Sequence, residues 1–197
     1  MALSTQSDRA FVTYNGINSK LEARLASHFR TSALLPSRTS HSHFAFYPHD
    51  CALWEHMLVK LRGRGITSSW DFGWNESLAG SRGLNELIDG LDFVFINERE
   101  AKLYAGESSL DAALSHLRKR PCITIVKLGP EGAAWISSNR KLVVPAPAVR
   151  DVVDTTGAGD NFNAGFLVAW MRGKSPKQCL ALGNRLGAQS TRRPGGI

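Results

Sequence analysis

One stretch near the C-terminus has the residue types and spacing that phosphoryl chemistry requires: Asp154-Thr155-Thr156-Gly157-Ala158-Gly159-Asp160. Gly157 and Gly159 remove the Cβ atoms that would block a tight turn or the close approach of an anion. The apolar run after them is spaced for a helix, whose free N–H groups and positive dipole end would face the turn. Such a helix start is a ready anion site. A carboxylate beside it repels the anion unless it has a task. Asp160 has one available: taking a proton from an alcohol as that alcohol attacks a phosphoryl group held in the turn. The plainer reading of Gly-x-Gly-Asp is a structural turn with a helix-capping Asp.

A second pair is Asn97 and Glu100, delivered by the apolar run Asp92-Phe93-Val94-Phe95-Ile96. If a helix starts at Asn97, residues three apart share a face. Oxygen ligands on one face beside an anion site suit a largely hydrated Mg²⁺. The same spacing is also that of a capping box, with Asn97 as cap and Glu100 at the third helical position, and spacing alone favours that reading.

The elements that would hold these groups follow from periodicity. Ala10–Tyr14 reads as a short strand before an Asn15-Gly16 turn, and Ser19–Phe29 as a helix with Leu21, Leu25 and Phe29 in register. Residues 31–43 read as a surface connection, in which His41 and His43 are solvated loop histidines and not a metal pair, since no third ligand follows. A strand over His43–Tyr47 is stopped by Pro48. Leu53, Trp54, Met57, Leu58 and Leu61 form one helical face ended by Gly63 and Gly65. Ile66–Asp71 is a strand, Ser81–Asp89 a helix, and 92–96 a strand of the kind buried on both faces. Ser108–Arg120 is a helix and Cys122–Val126 another buried strand. Ala133–Ser137 and Lys141–Val144 read as an antiparallel pair. Gly157–Met171 is the helix of the anion turn, with Phe162, Gly165, Phe166, Val168 and Ala169 as its packing surface. A last helix opens at Pro176. Strands alternating with helices imply an α/β fold with a mostly parallel sheet and right-handed crossovers.

Composition narrows the function. The 197 residues, 43% hydrophobic and 21% charged, suit one domain with a sizeable core. A net charge of +7 suits an anionic partner, and ATP satisfies that as well as nucleic acid would. The basic residues are scattered without interleaved aromatics, which argues against nucleic acid. Cys51, Cys122 and Cys179 are widely spaced and odd in number, pointing to a reducing cytoplasm rather than a disulfide or zinc framework. No apolar run approaches membrane-spanning length, and the N-terminus lacks the apolar core of a signal peptide. The chain reads as cytoplasmic, with no nucleic-acid or membrane partner.

Taken together, Asp154–Asp160 followed by Asn161-x-x-x-Gly165-Phe166, the pair Asn97-x-x-Glu100 and the segment Lys127-Leu128-Gly129-Pro130-Glu131-Gly132 resemble the signatures of the ribokinase-like (PfkB) carbohydrate kinases. The resemblance implies a three-layer α/β/α Rossmann-like domain over residues 1–197, the C-terminal two-thirds of such a kinase, with residues 10–16 as a remnant of its lid. It implies ATP-dependent phosphorylation of a hydroxyl on a sugar or related small alcohol. Asp160 would be the general base, and the backbone N–H groups of Gly157, Ala158 and Gly159 the anion hole. Asn97 and Glu100 would support a magnesium network. Lys127, Gly129, Gly132 and Asn184 would contact nucleotide, and Asp154 would help hold a monovalent cation such as K⁺. Family members also form homodimers through lid strands. Asp71-Phe72-Gly73-Trp74-Asn75 only loosely resembles the family's Asp-x-Asn segment, and no role is assigned to it.

The resemblance departs at the beginning. Family members extend well beyond this N-terminus, and that part carries a sugar-binding Asp, a Gly-Gly-x-x-x-Asn-type segment, and strands of the sheet and lid. They also continue briefly past Ile197. Two readings follow. The chain is a carbohydrate kinase represented by its chemistry-bearing part, or it is an inactive fragment or nucleotide-binding or interaction module descended from one.

Overall fold

The computed structural model describes residues 2–4, 9–11, 20–30 and 39–196. It comprises two compact units, Met1–Arg38 and Thr39–Ile197. In the first, β1 (Ala2–Ser4) and β2 (Arg9–Phe11) form an antiparallel pair, and α1 (Leu21–Arg30) follows, close to the helix expected over 19–29. Of the expected lid strand at 10–16, residues 12–16 lie outside the described residues, as does the Asn15-Gly16 turn.

The second unit is a six-stranded sheet with helices on both faces. Its strands lie side by side in chain order: β3 (His41–Phe44), β4 (Thr67–Asp71), β5 (Phe93–Asn97), β6 (Ile123–Lys127), β7 (Ala133–Ser137) and β8 (Arg140–Val144). β3 to β6 are parallel, and the β6–β7 and β7–β8 pairs are antiparallel. The helices are α2 (Cys51–Gly63), α3 (Glu76–Ala79), α4 (Leu84–Asp89), α5 (Glu98–Ala105), α6 (Leu110–Leu117), α7 (Ala158–Met171) and α8 (Pro176–Ser190). Capping fixes several starts. Asp50 accepts from the Leu53 amide, Ser109 from the Ala112 amide, and Ser175 and Gln178 form a capping box that spans Pro176.

Register places alternate residues on opposite faces. One face carries His41 and His43, Thr67, Ser69 and Asp71, Phe93, Phe95 and Asn97, then Ile123, Ile125 and Lys127. Against it pack α7 and α8, through a core of Phe93, Phe95, Trp135, Phe162, Phe166 and Leu180. Phe93, Phe95 and Phe166 are fully buried, and Phe166 meets each of the other two edge to face. Each contributes roughly 1.5–3 kcal/mol by burial. The opposite face carries Phe44 and Trp70, which with Trp54 of α2 make a second aromatic cluster. Helix α7 meets α8 closely enough that a Cβ on Gly165 would lie 2.9 Å from Leu186 Cδ1 and 3.0 Å from the Leu182 carbonyl. A Cβ on Gly183 would lie 2.9 Å from the Phe162 ring.

Three expectations are corrected. His41–His43 is not a solvated loop but β3, and its strand begins two residues before the expected one and ends at Phe44, because pairing with β4 overrides weak local propensity. His41 is hydrogen-bonded to both Thr67 and Ser69. Val168 is exposed and is not part of the α7 packing face. A short helix, α3, occupies Glu76–Ala79, capped by Asn75, where no element was expected.

Candidate active site

The turn before α7 has the expected form. Gly157 is its N-cap with φ +73°, a left-handed conformation that favours glycine. The Asn161 side chain donates back to the Gly157 carbonyl at 2.9 Å and braces the turn. Asp160 lies in the first helical turn with its side chain exposed. Of the three expected anion-hole amides, that of Ala158 already donates to the Thr155 carbonyl at 3.2 Å.

A cavity of about 530 Å³ opens at this turn, lined by Lys127, Gly132, Thr155, Gly159, Phe162 and Asn184 among others. The segment Ala146–Val149 forms another wall. The lining is mainly apolar, with the helix start and one ammonium at one end. That combination suits a flat heterocycle carrying phosphates. The cavity brings together Lys127, Gly129, Gly132 and Asn184, four residues expected at the nucleotide.

Their individual tasks differ. The Lys127 Nζ stands beside Gly159, where an added Cβ would come within 3.3 Å of it. Gly129 and Gly132 shape the 3₁₀ turn joining β6 to β7, and the Leu128 amide donates to the Gly132 carbonyl at 2.8 Å. Asn184 is buried, not an exposed helix residue, and its amide donates to the carbonyls of Val144 at 2.8 Å and Pro145 at 3.2 Å. It ties α8 to the cavity wall through the backbone.

Asp71, which sequence reasoning left without a role, ends β4 beside the site. Its Oδ2 accepts from Lys127 Nζ at 2.6 Å and from Asn163 Nδ2 at 2.7 Å. Both members of the Lys127–Asp71 pair are about 15% exposed. The pair therefore sits in a medium where charges interact strongly and need partners. Asn163 is buried, and its Oδ1 has no hydrogen-bond partner among the described residues. An Asp at the C-terminal end of an expected strand was the available signal, but its partners lie 56 and 92 positions away.

Asn97 is the N-cap of α5, not its first helical residue, and forms a full capping box with Glu100. Glu100 Oε2 accepts from the Asn97 amide at 2.8 Å and Oε1 from Asn97 Nδ2 at 2.7 Å. Burial, the largest influence, raises the Glu100 pKa. The Asn97 amide and Lys127 oppose that, while Asp71 adds to it. Each carboxylate oxygen keeps one acceptor position beyond the cap. This donor set fits holding the water shell of a hydrated Mg²⁺ better than binding the ion directly. Among the described residues, no group of three or more His, Cys, Asp or Glu is arranged to hold a metal ion. Asp154 accepts from the Thr156 amide at 2.9 Å through Oδ1 and from the Gly195 amide at 3.0 Å through Oδ2, which fastens the loop before the turn to the C-terminal segment.

Comparison with known proteins gives the site its context. The sequence profile described as "pfkB family carbohydrate kinase" matches residues 2–197. An uncharacterized sugar kinase of Archaeoglobus fulgidus is 34% identical over 127 residues, covering 64% of this chain and 50% of that protein. A 2-dehydro-3-deoxygluconokinase of Bacillus subtilis is 30% identical over 146 residues, covering 71% and 45% respectively. The crystal structure of aminoimidazole riboside kinase from Salmonella enterica, complexed with aminoimidazole riboside and an ATP analog, superposes with a TM-score of 0.65 at 25% identity, covering 82% of this chain and 60% of that one. The chain thus spans about half the length of the curated relatives it matches. Among the described residues, no helix is long and apolar enough to cross a membrane.

Proposed function

The chain belongs to the pfkB family of carbohydrate kinases, and from that premise we propose that it carries the chemistry-bearing part of an enzyme that transfers the terminal phosphoryl group of ATP to a hydroxyl of a sugar or related small alcohol. The observation that carries this reading is the placement of Lys127. Its ammonium, held by Asp71, stands against Gly159 inside the cavity, one residue from the exposed Asp160 on the same helical turn.

The base of ATP would fill the apolar cavity between Ala146–Val149 and α8, with its phosphates directed to the start of α7. There the amides of Gly157, Ala158 and Gly159 and the Lys127 ammonium would take up charge developing on the transferred phosphoryl oxygens. For Ala158 this requires exchanging its bond to the Thr155 carbonyl. Asp160, outside the cavity lining, would accept the proton of the acceptor hydroxyl as its oxygen bonds to phosphorus. Mg²⁺, when bound, neutralises phosphate charge, and Asn97 and Glu100 would hold it through its waters. Asp154 would hold a monovalent cation, K⁺, beside the loop it fastens.

An assay of ADP release with Mg·ATP and D-ribose, D-fructose, 2-dehydro-3-deoxygluconate or adenosine tests the reading. Acceptor-dependent ADP release with one of these supports it. Nucleotide binding without acceptor-dependent release from any of them supports a binding module instead.

A further inference from the structure

A directed chain of hydrogen bonds runs across β3 and β4 toward this site. The Thr67 hydroxyl donates to the Ser40 carbonyl at 3.1 Å, an atom that can only accept. With its proton spent, Thr67 Oγ1 must accept from His41 Nδ1 at 2.8 Å. His41 is neutral at pH 7. Burial chiefly, and then His43, hold its pKa down to about 4 against the pull of Asp92. A neutral ring protonated at Nδ1 has its lone pair on Nε2, so the Ser69 hydroxyl donates to His41 Nε2 at 2.8 Å. Ser69 Oγ in turn must accept from His43 Nδ1 at 2.7 Å. The chain leaves His43, when neutral, with its lone pair on Nε2.

His43 is exposed and lies on the same sheet face as Asp71 and Lys127. Its ring meets Phe95 edge to face at 5.6 Å. The charges that act on it are Asp71 and Lys127 of the sheet and Asp160 of α7. Loss of water is the largest influence and lowers its pKa; Asp71 and Asp160 oppose this, and Lys127 adds to it.

The nucleotide cavity takes no lining residue from β3 or β4. In-line transfer places the attacking hydroxyl on the side of the phosphoryl group away from the nucleotide. In the strand order, β3 and β4 lie on the side of Lys127 opposite β7 and β8, whose flanking segments line the cavity.

On the kinase reading, we propose that His43 is an acceptor-binding residue: its Nε2 takes a hydrogen bond from a second hydroxyl of the alcohol substrate. Thr67, His41 and Ser69 are positioning residues that fix its tautomer. The substrate class this selects is a polyhydroxy compound, in which one hydroxyl is phosphorylated while another is held by His43.

Two readouts on the full chain test this. Nitrogen-15 NMR of the histidine side chains should show His43 protonated at Nδ1, and Ser69→Ala should release it to a mixture of tautomers. Kinetics use whichever of D-ribose, D-fructose, 2-dehydro-3-deoxygluconate and adenosine is turned over fastest. His43→Ala should raise the KM for that acceptor about tenfold, the equivalent of one hydrogen bond, and leave the KM for ATP unchanged. His43→Gln, whose amide oxygen reaches the Nε2 position, should recover part of the loss, and His43→Asn should not. An Nε2-protonated His43, an unchanged acceptor KM, or equal rises in both KM values overturns the proposal. Absence of turnover with all four acceptors overturns the kinase reading and the substrate role with it, while the tautomer signal stands.

Discussion

Gly132 and Gly129 belong to the same turn but do different physical work, and substituting each by Ala separates the two. Both have positive φ, +100° and +59°. A side chain in that region costs about 1–2 kcal/mol by itself. Around Gly129 nothing lies within 4 Å of an added Cβ, so Gly129→Ala should cost about 1 kcal/mol. At Gly132 the added Cβ would lie 2.1 Å from the Val144 carbonyl oxygen and 2.7 Å from the Ala146 nitrogen. Those are backbone atoms and cannot rotate away. Overpacking of this kind adds roughly 1–3 kcal/mol to the strain, for a total of about 4 kcal/mol. For a chain of this length the melting temperature should fall about 2–4 °C in Gly129→Ala and about 8–16 °C in Gly132→Ala. The displaced carbonyls are also those that Asn184 grips. Gly132→Ala should therefore weaken the upward shift of the melt by Mg·ATP, while Gly129→Ala preserves it. Thermal melts followed by Trp fluorescence, with and without Mg·ATP, read both effects. Equal losses in the two variants would refute the close-approach argument.

Two further perturbations probe the charge network. Asp71→Asn leaves the Lys127 ammonium without its carboxylate and should cost about 3 kcal/mol in urea unfolding. Asp71→Asn with Lys127→Met should cost less than the sum of the single changes, and simple additivity would deny the coupling. The His41 pKa, depressed from 6.5 to about 4, means that the unfolded chain binds more protons between those values. The stability from neutral His41 is complete above pH 6.5 and lost as pH falls toward 4, about 3 kcal/mol in all. Glu100, with its pKa raised, works in the opposite sense, losing stability as pH rises through its folded pKa. Urea midpoints of wild type and His41→Asn between pH 7 and 4.5 should therefore converge as pH falls. Parallel curves would contradict the assignment.

Much of this site is legible in the sequence because its signals are local. The Gly157–Asp160 turn, the Asn97–Glu100 pair and the β6–β7 turn each span only a few residues, and dihedral, capping and turn rules act over that range. The buried strands at 93–97 and 123–127 were readable for the same reason, as continuous apolar runs bounded by turn residues. What escaped depends on partners distant in the chain. His41 and Ser42 carry no strand signal and join β3 only through pairing with β4. Asp71 gains its role from Lys127 and Asn163, which the topology alone brings to it. The burial of Asn184 is equally a long-range effect, because the small residues Gly183 and Gly187 let α8 approach α7 closely.

On the proposed mechanism, Asp160 acts as a base toward an alcohol while the turn before it and Lys127 hold the phosphates. Its most direct test is transfer of labelled terminal phosphate from ATP to the sugar that gives the highest turnover, measured in wild type and Asp160→Asn together with ATP affinity. Transfer should fall about 10²–10⁴-fold while ATP binds as tightly or more tightly, because a negative charge beside the phosphates has been removed. Transfer within a few-fold of wild type, or a loss of ATP affinity that accounts for the whole fall, would contradict it.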